Sequence, residues 1–221
     1  MIYIPSKSEQ DWKQFLAEPD KQWKDGYSAK CLATCWQGAN GIPEKVKQVF
    51  EITDCIELKE VEMLLGIPEY KIGLPGGGRA SQNDLFVLAR TDKEIFPIMV
   101  EGKVDESFGP LLSEWKINMS DGKKERLEYL CELLNLTNKN IDNIRYQLLH
   151  RTASAIITAN KYHCNTAMVL IHSFSPLNKS FKDYSDFINL YNLKAQLDGI
   201  IGPVILNGVR VYWGWVKDKY K

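Results

Sequence analysis

The sequence predicts a mixed α/β domain: a central β-sheet flanked by helices, an N-terminal helical segment and a C-terminal β-hairpin. Three observations carry this. Apolar residues in the first quarter recur at helical spacing. Two unbroken apolar runs, Leu85–Ala89 and Ile95–Val100, have the length and composition of strands covered on both faces. Near the end, Asn207-Gly208 separates two strand-like runs, a type I′ hairpin signal. The expected organisation is one domain over 1–221, with a mostly helical part at 1–66, a core at 67–173, and a helix and hairpin at 174–221.

The elements follow in order. Ser8 begins a helix through Trp12, Phe15 and Leu16, which Pro19 ends. Ser28 caps a second helix, closed by Gly38 or Gly41. Pro43 opens a third, with Val46, Val49 and Phe50 on one face. Asp54-x-x-Glu57 resembles a capping box and predicts a helix through Leu58, Val61, Leu64 and Leu65. Tyr70–Leu74 is a short strand, and Pro75-Gly76-Gly77-Gly78 breaks it. The two apolar runs form a hairpin over Thr91–Glu94, with Pro97 weakening pairing on one side. Lys123–Leu134 and Asn138–Lys161 are helical, the latter through the stripe Ile144, Leu148, Leu149, Ala153, Ile156. Thr166–Ser173 is a buried strand, and Asp183–Leu193 a helix. Tyr212, Trp213 and Trp215 belong to the last strand.

Charge narrows the function. Lys plus Arg number 28 and so do Asp plus Glu, so the formal net charge is zero. A strongly basic nucleic-acid binder is excluded, and any such role needs a local patch. No segment is long and apolar enough for a membrane helix, and no secretory signal opens the chain. Five cysteines, an odd number, argue against a disulfide framework. Cys31 and Cys35 lack nearby histidines in sequence for a zinc site. The expectation is a cytoplasmic chain with buried thiols.

One constellation carries chemistry. Asp84 precedes the first apolar run, and Glu101-Gly102-Lys103 closes the second. With the turn centred between Asp92 and Lys93, facing positions carry numbers that sum to 185, a condition Asp84 and Glu101 meet. Their Cβ atoms then lie about 4.5–5.5 Å apart, and Lys103 shares the face of Glu101. Two carboxylates side by side at the end of buried strands repel one another, and a divalent cation removes the conflict. Oxygen ligands suit Mg²⁺ or Mn²⁺ at Asp84 and Glu101, with Lys103 stabilising charge on phosphate. The bland alternative is a salt-bridged sheet edge. Other acid-x-Lys triplets occur. The nearest competitor, Glu69-Tyr70-Lys71, begins a strand but lacks a long apolar partner with an acid in register.

Asp84 followed by Glu101-x-Lys103 on consecutive strands resembles the PD-(D/E)xK nuclease superfamily, with its restriction-endonuclease-like fold. Asn83 stands where the motif name has Pro. Residues 68–84, Val100–Val104, Phe108-Gly109-Pro110 and 145–154 also resemble a bacterial family of uncharacterised proteins. The superfamily resemblance covers mainly 68–173 and implies a metal-dependent nuclease with Asp84, Glu101 and Lys103 as catalytic residues. The alternative is a catalytically inactive relative used for binding or assembly. The superfamily often adds an acid from the preceding helix, for which Glu51 and Glu60 are candidates. Ser81 and Gln82 lie beside Asp84. Gln147 and Arg151 share a face of the long helix, with His150 adjacent; a solvated polar stripe is the alternative. Arg79, after the glycines, and Arg145 complete the cations expected with Lys103 and Arg151 on one active face. His172 reads as a satisfied core histidine.

Overall fold

A computed structural model describes residues 6–219. After a 3-10 turn at Glu9–Phe15 come three helices and a strand that build the N-terminal side: α1 (Pro19–Gln22), α2 (Ser28–Ala39), α3 (Glu44–Ile52) and the long edge strand β1 (Glu62–Ile72). The hairpin β2 (Ser81–Arg90) and β3 (Ile95–Lys103) follows. Then come α4 (Leu112–Trp115), α5 (Asp121–Leu133), α6 (Tyr146–Lys161), β4 (Thr166–Ser173), α7 (Phe181–Asn189), β5 (Gly199–Leu206) and β6 (Val209–Lys217). The six strands form one sheet in the order β1-β2-β3-β4-β6-β5. β4 runs parallel to both β3 and β6, and the other pairs are antiparallel. The fold class is as predicted.

Apolar clusters cover both faces of the sheet. On one, Phe86, Met99, Val169, Ile171 and Trp213 pack with α6 residues Leu149, Ala153 and Ile156. On the other, Leu85, Ile98, Val100 and Leu170 pack with Leu32 and Trp36 of α2 and Val46 and Phe50 of α3. This explains the unbroken apolar runs: alternate residues of β2 and β3 serve opposite cores. Pro97 pairs with Leu88 on β2, while the β4 ladder begins one residue later at Ile98↔Met168. The missing N–H of Pro97 therefore costs the β4 side nothing.

Several elements differ from expectation. The segment after Asp54 is not a helix. A 3-10 turn spans Ile56–Leu58, and Leu64 and Leu65 belong to β1. Their spacing fits a helix, but pairing with β2 satisfies the backbone instead. The first predicted helix is a 3-10 turn that stops at Phe15. α2 ends on Asn40 in the left-handed region, φ 47°, rather than on a glycine. α6 starts at Tyr146 rather than Asn138, because Pro110 O and Phe108 O accept the first N–H groups of the helix from outside it. At the β5–β6 turn, Asn207 and Gly208 have φ 47° and 78°, as a type I′ turn requires. None of the five cysteines is in a disulfide. No helix among the described residues is long and apolar enough to cross a membrane.

Candidate active site

The β2–β3 ladder runs from Arg90↔Ile95 to Leu85↔Val100, in the register whose numbers sum to 185. Thr91 N–H closes the turn on Glu94 O at 2.9 Å. The ladder ends there, one step short of Asp84 and Glu101, and the Asp84 carboxylate reaches Gly102 rather than Glu101. Met99 faces α6 and Val100 faces α2, so alternation brings Glu101 and Lys103 out toward α6. Gly102 between them lies under α2. A Cβ there would stand 3.3 Å from Leu32 Cβ and from Ser28 O. The middle residue of this Glu-x-Lys triplet is small because the start of α2 rests on it.

The side chains form a buried ionic network. Lys103 Nζ lies 2.9 Å from Glu101 Oε1 and donates to Gln147 Oε1 at 3.1 Å. Arg151 Nε donates to Glu101 Oε2, and Arg151 Nη2 stands 3.7 Å from Asp84 Oδ1. Asp84 Oδ2 accepts from Gly102 N–H at 2.9 Å. Arg151 is held from behind. Its Nη1 lies 3.4 Å from Ser81 Oγ and 3.2 Å from His150 Nδ1. A guanidinium only donates, so Nδ1 is an acceptor and the neutral His150 carries its proton on Nε2. Ser81 Oγ lies 2.8 Å from the same Nδ1, and Ser154 Oγ 2.9 Å from Ser81 Oγ. Ser81, Gln147, His150 and Arg151 thus join the predicted triad.

Electrostatics separate the acids. Burial would push Glu101 up, but Arg151 and then Lys103 outweigh it and hold it below the ordinary carboxylate range. Burial and then the charge of Glu101 push Asp84 up to about 7. His150 is held well below the usual imidazole range by burial, then by Arg151.

Glu69 is the residue that sequence reasoning set aside. The pairs Pro68↔Leu85 and Tyr70↔Asn83 place it across from Asp84. It therefore does have an acid in register. Leu65 and Ile67 pack on the α6 side and so do Tyr70 and Ile72, so the side-chain phase of β1 changes between Ile67 and Tyr70. Glu69 sits within that change with φ 51°, a left-handed conformation. Gln82 Nε2 donates to its Oε2 at 2.7 Å. Burial and then Asp84 push its carboxyl up to about 8. Glu69 and Asp84 line a cleft of about 460 Å³ with Tyr27, Ser28, Asp105 and Glu106. Four carboxylates and no lysine or arginine line it.

The remaining predicted residues lie apart. Glu51 is exposed on α3, which packs on β5 and β6. Glu60 is exposed ahead of β1. Neither lines the cleft. Arg145 bridges Asp183 at 3.1 Å and Gly109 O at 3.0 Å. Arg79 is exposed in the β1–β2 loop. With Lys103 and Arg151 buried against acids, these four cations do not form one open face. The glycine turn is a packing device. Arg126 donates to Pro75 O at 2.9 Å and Gly77 O at 3.1 Å. A Cβ on Gly76 would fall 2.0 Å from Gly122 O at the start of α5.

Hard oxygen donors at the strand ends fit Mg²⁺ or Mn²⁺. Counting Glu69, three carboxylates face two cations, which leaves one uncompensated negative charge when all are ionised. Among the described residues, the three ligand types that gather within 4.8 Å are instead Cys35, His172 and Asp218. Trp36 Nε1–H donates to His172 Nδ1 at 3.1 Å. The neutral ring therefore carries its proton on Nε2, which lies 3.2 Å from Asp218 Oδ2. With both ring nitrogens engaged, His172 has no lone pair for a metal. It is the satisfied core histidine that the sequence suggests.

No curated protein and no solved structure matches the chain. A family profile matches residues 5–220, and the chain accordingly belongs to the family defined by DUF6946, a domain of unknown function.

Proposed function

We propose that the chain is a metal-dependent phosphodiesterase of the PD-(D/E)xK type, hydrolysing nucleic-acid phosphodiester bonds. The observation that carries this reading is the gathering of Asp84, Glu101 and Lys103 at the end of the buried β2–β3 hairpin, with Arg151 between the two acids. Carboxylates at the strand ends would hold Mg²⁺ or Mn²⁺, which when bound would supply a Lewis acid for the phosphate and lower the pKa of a water. The chain's own residues do the rest. Lys103 has three N–H donors; Glu101 and Gln147 engage two, leaving one for a water or phosphate oxygen. Phe108, whose ring centroid lies 4.8 Å from Nζ, fixes the ammonium from one side. Arg151 fixes Glu101 so that its other oxygen orients Lys103.

The test is cleavage of single- and double-stranded DNA and RNA with Mg²⁺ or Mn²⁺. Cleavage abolished by Lys103→Ala and by Asp84→Ala supports the reading. Activity surviving both substitutions overturns it.

One observation favours a second reading, an inactive nuclease-fold module for binding or assembly. Lys103, Arg145 and Arg151 are all committed to acids inside the chain, and the cleft is lined by carboxylates. Nothing there draws in a polyphosphate unless a cation precedes it. No divalent-ion binding, with Asp84 and Lys103 still needed for a partner, would decide for this reading.

A further inference from the structure

The proposed ion needs carboxylate oxygens that are not already spent. Glu101 fails that condition. Lys103 engages its Oε1 and Arg151 its Oε2, and both cations are themselves buried. Arg151 cannot swing aside without leaving Ser81 and His150, which contact its Nη1. Moving either cation off Glu101 strands a charge in a buried place, the costly way to break such a pair.

Asp84 and Glu69 are placed otherwise. They face one another across β1 and β2, and both open onto the same cleft. Gln82 occupies one oxygen of Glu69. Gly102 N–H occupies Oδ2 of Asp84, and its Oδ1 meets Arg151 only at 3.7 Å, a distance too long for a hydrogen bond. The network's uncompensated negative charge therefore rests on this pair. A backbone in the left-handed region at Glu69 sets the residue within the phase change of β1, beside the cleft.

We infer that Glu69 and Asp84 supply the carboxylate ligands for the divalent ion, while Glu101 serves as the internal anion that orients Lys103 and Arg151. This rests on the phosphodiesterase reading and relocates its metal ligands by one strand. The third acid comes from β1, not from a helix ahead of it.

The experiment is Mn²⁺ binding to the purified full chain, followed by calorimetry and by electron paramagnetic resonance, with cleavage measured on the same samples. One Mn²⁺ site is expected, weakened at least tenfold by Glu69→Gln and by Asp84→Asn. Glu60→Gln, an exposed acid just ahead of β1, leaves it unchanged. Binding unaffected by Glu69→Gln in a folded variant overturns the inference, and so does a wild-type chain that binds no Mn²⁺. Should Glu69→Gln fail to fold, crystals of the wild type soaked in Mn²⁺ decide. An anomalous peak between Asp84 and Glu69 supports the assignment, and one on Asp84 and Glu101 overturns it. Mn²⁺ at Glu69 and Asp84 without cleavage leaves this site standing and removes the phosphodiesterase. Cleavage with binding indifferent to Glu69 does the reverse.

Discussion

Replacing Asp84 with asparagine removes an alkaline weakness from the metal-free chain. Burial and then Glu101 raise the Asp84 carboxyl from an ordinary 3.8 to about 7. Glu69, Glu101, Lys103 and Arg151 all face it, and Gly102 N–H is its nearest donor. Its side chain is 21% exposed, so solvent screens the shift only modestly. Between the unfolded and folded values the native chain binds a proton that the unfolded chain does not. Stability from this group is therefore full in acid and is lost as pH rises through the folded value. From pH 5 to 8.5 the difference persists for roughly two pH units, or about 3 kcal/mol at ~1.4 kcal/mol per unit. Asparagine keeps an acceptor for Gly102 N–H and carries no charge. Urea unfolding in chelator at the two pH values measures both chains. The wild type is expected to lose about 3 kcal/mol more than Asp84→Asn on going from pH 5 to 8.5. Parallel losses in the two chains would refute the argument, because Asp84 would then titrate alike folded and unfolded.

Other substitutions probe the surroundings. Gly102→Ala should cost about 1–2 kcal/mol in urea unfolding, because Leu32 and Ser28 of α2 must give way by a few tenths of an ångström; unchanged stability would mean that α2 does not rest on β3 there. Arg151→Gln leaves Glu101 buried with Lys103 as its remaining cation, and a loss of about 3–5 kcal/mol is expected by the same method. Trp36→Phe strips His172 Nδ1 of its donor and should cost about 1–3 kcal/mol, with crystallography or imidazole NMR reporting any change of tautomer. The deletion would be harmless if water reached His172, which is fully buried.

The β2–β3 hairpin was legible because its turn is short. Five polar residues, Arg90 to Glu94, between two apolar runs leave little freedom in where the turn centres, and the register over Leu85↔Val100 to Arg90↔Ile95 follows. The same arithmetic could not reach Glu69. The β1–β2 connection from Gly73 to Ala80 holds eight residues, and no turn type fixes the pairing across it. β1 itself was misread in part because Leu58, Val61, Leu64 and Leu65 fit a helix, and Gly66 and Pro68 break the strand signal. Pro68 is tolerated because β1 is an edge strand. The fate of the cations was also out of reach. That Arg151 meets Glu101 and Arg145 meets Asp183 depends on how α6 lies across the sheet and against α7, which residue spacing alone does not state. Cys35, His172 and Asp218 come from α2, β4 and the chain after β6, and the parallel β4–β6 pairing together with the packing of α2 on the sheet brings them together.

The two backbones at Gly76 and Gly122 touch so closely that a Cβ on either would overlap the carbonyl of the other. Arg126 of α5 reaches back from the same place to three carbonyls of the loop. The loop after β1 and the first turn of α5 are therefore interlocked, and neither can fray alone. Their amide protons should exchange with solvent as one group, at one free energy of opening. Ser81, the first residue of β2, hangs from the end of that loop and contacts Arg151. Loosening the glycine contact would thus reach the ionic network through the backbone, from a place that touches none of its carboxylates.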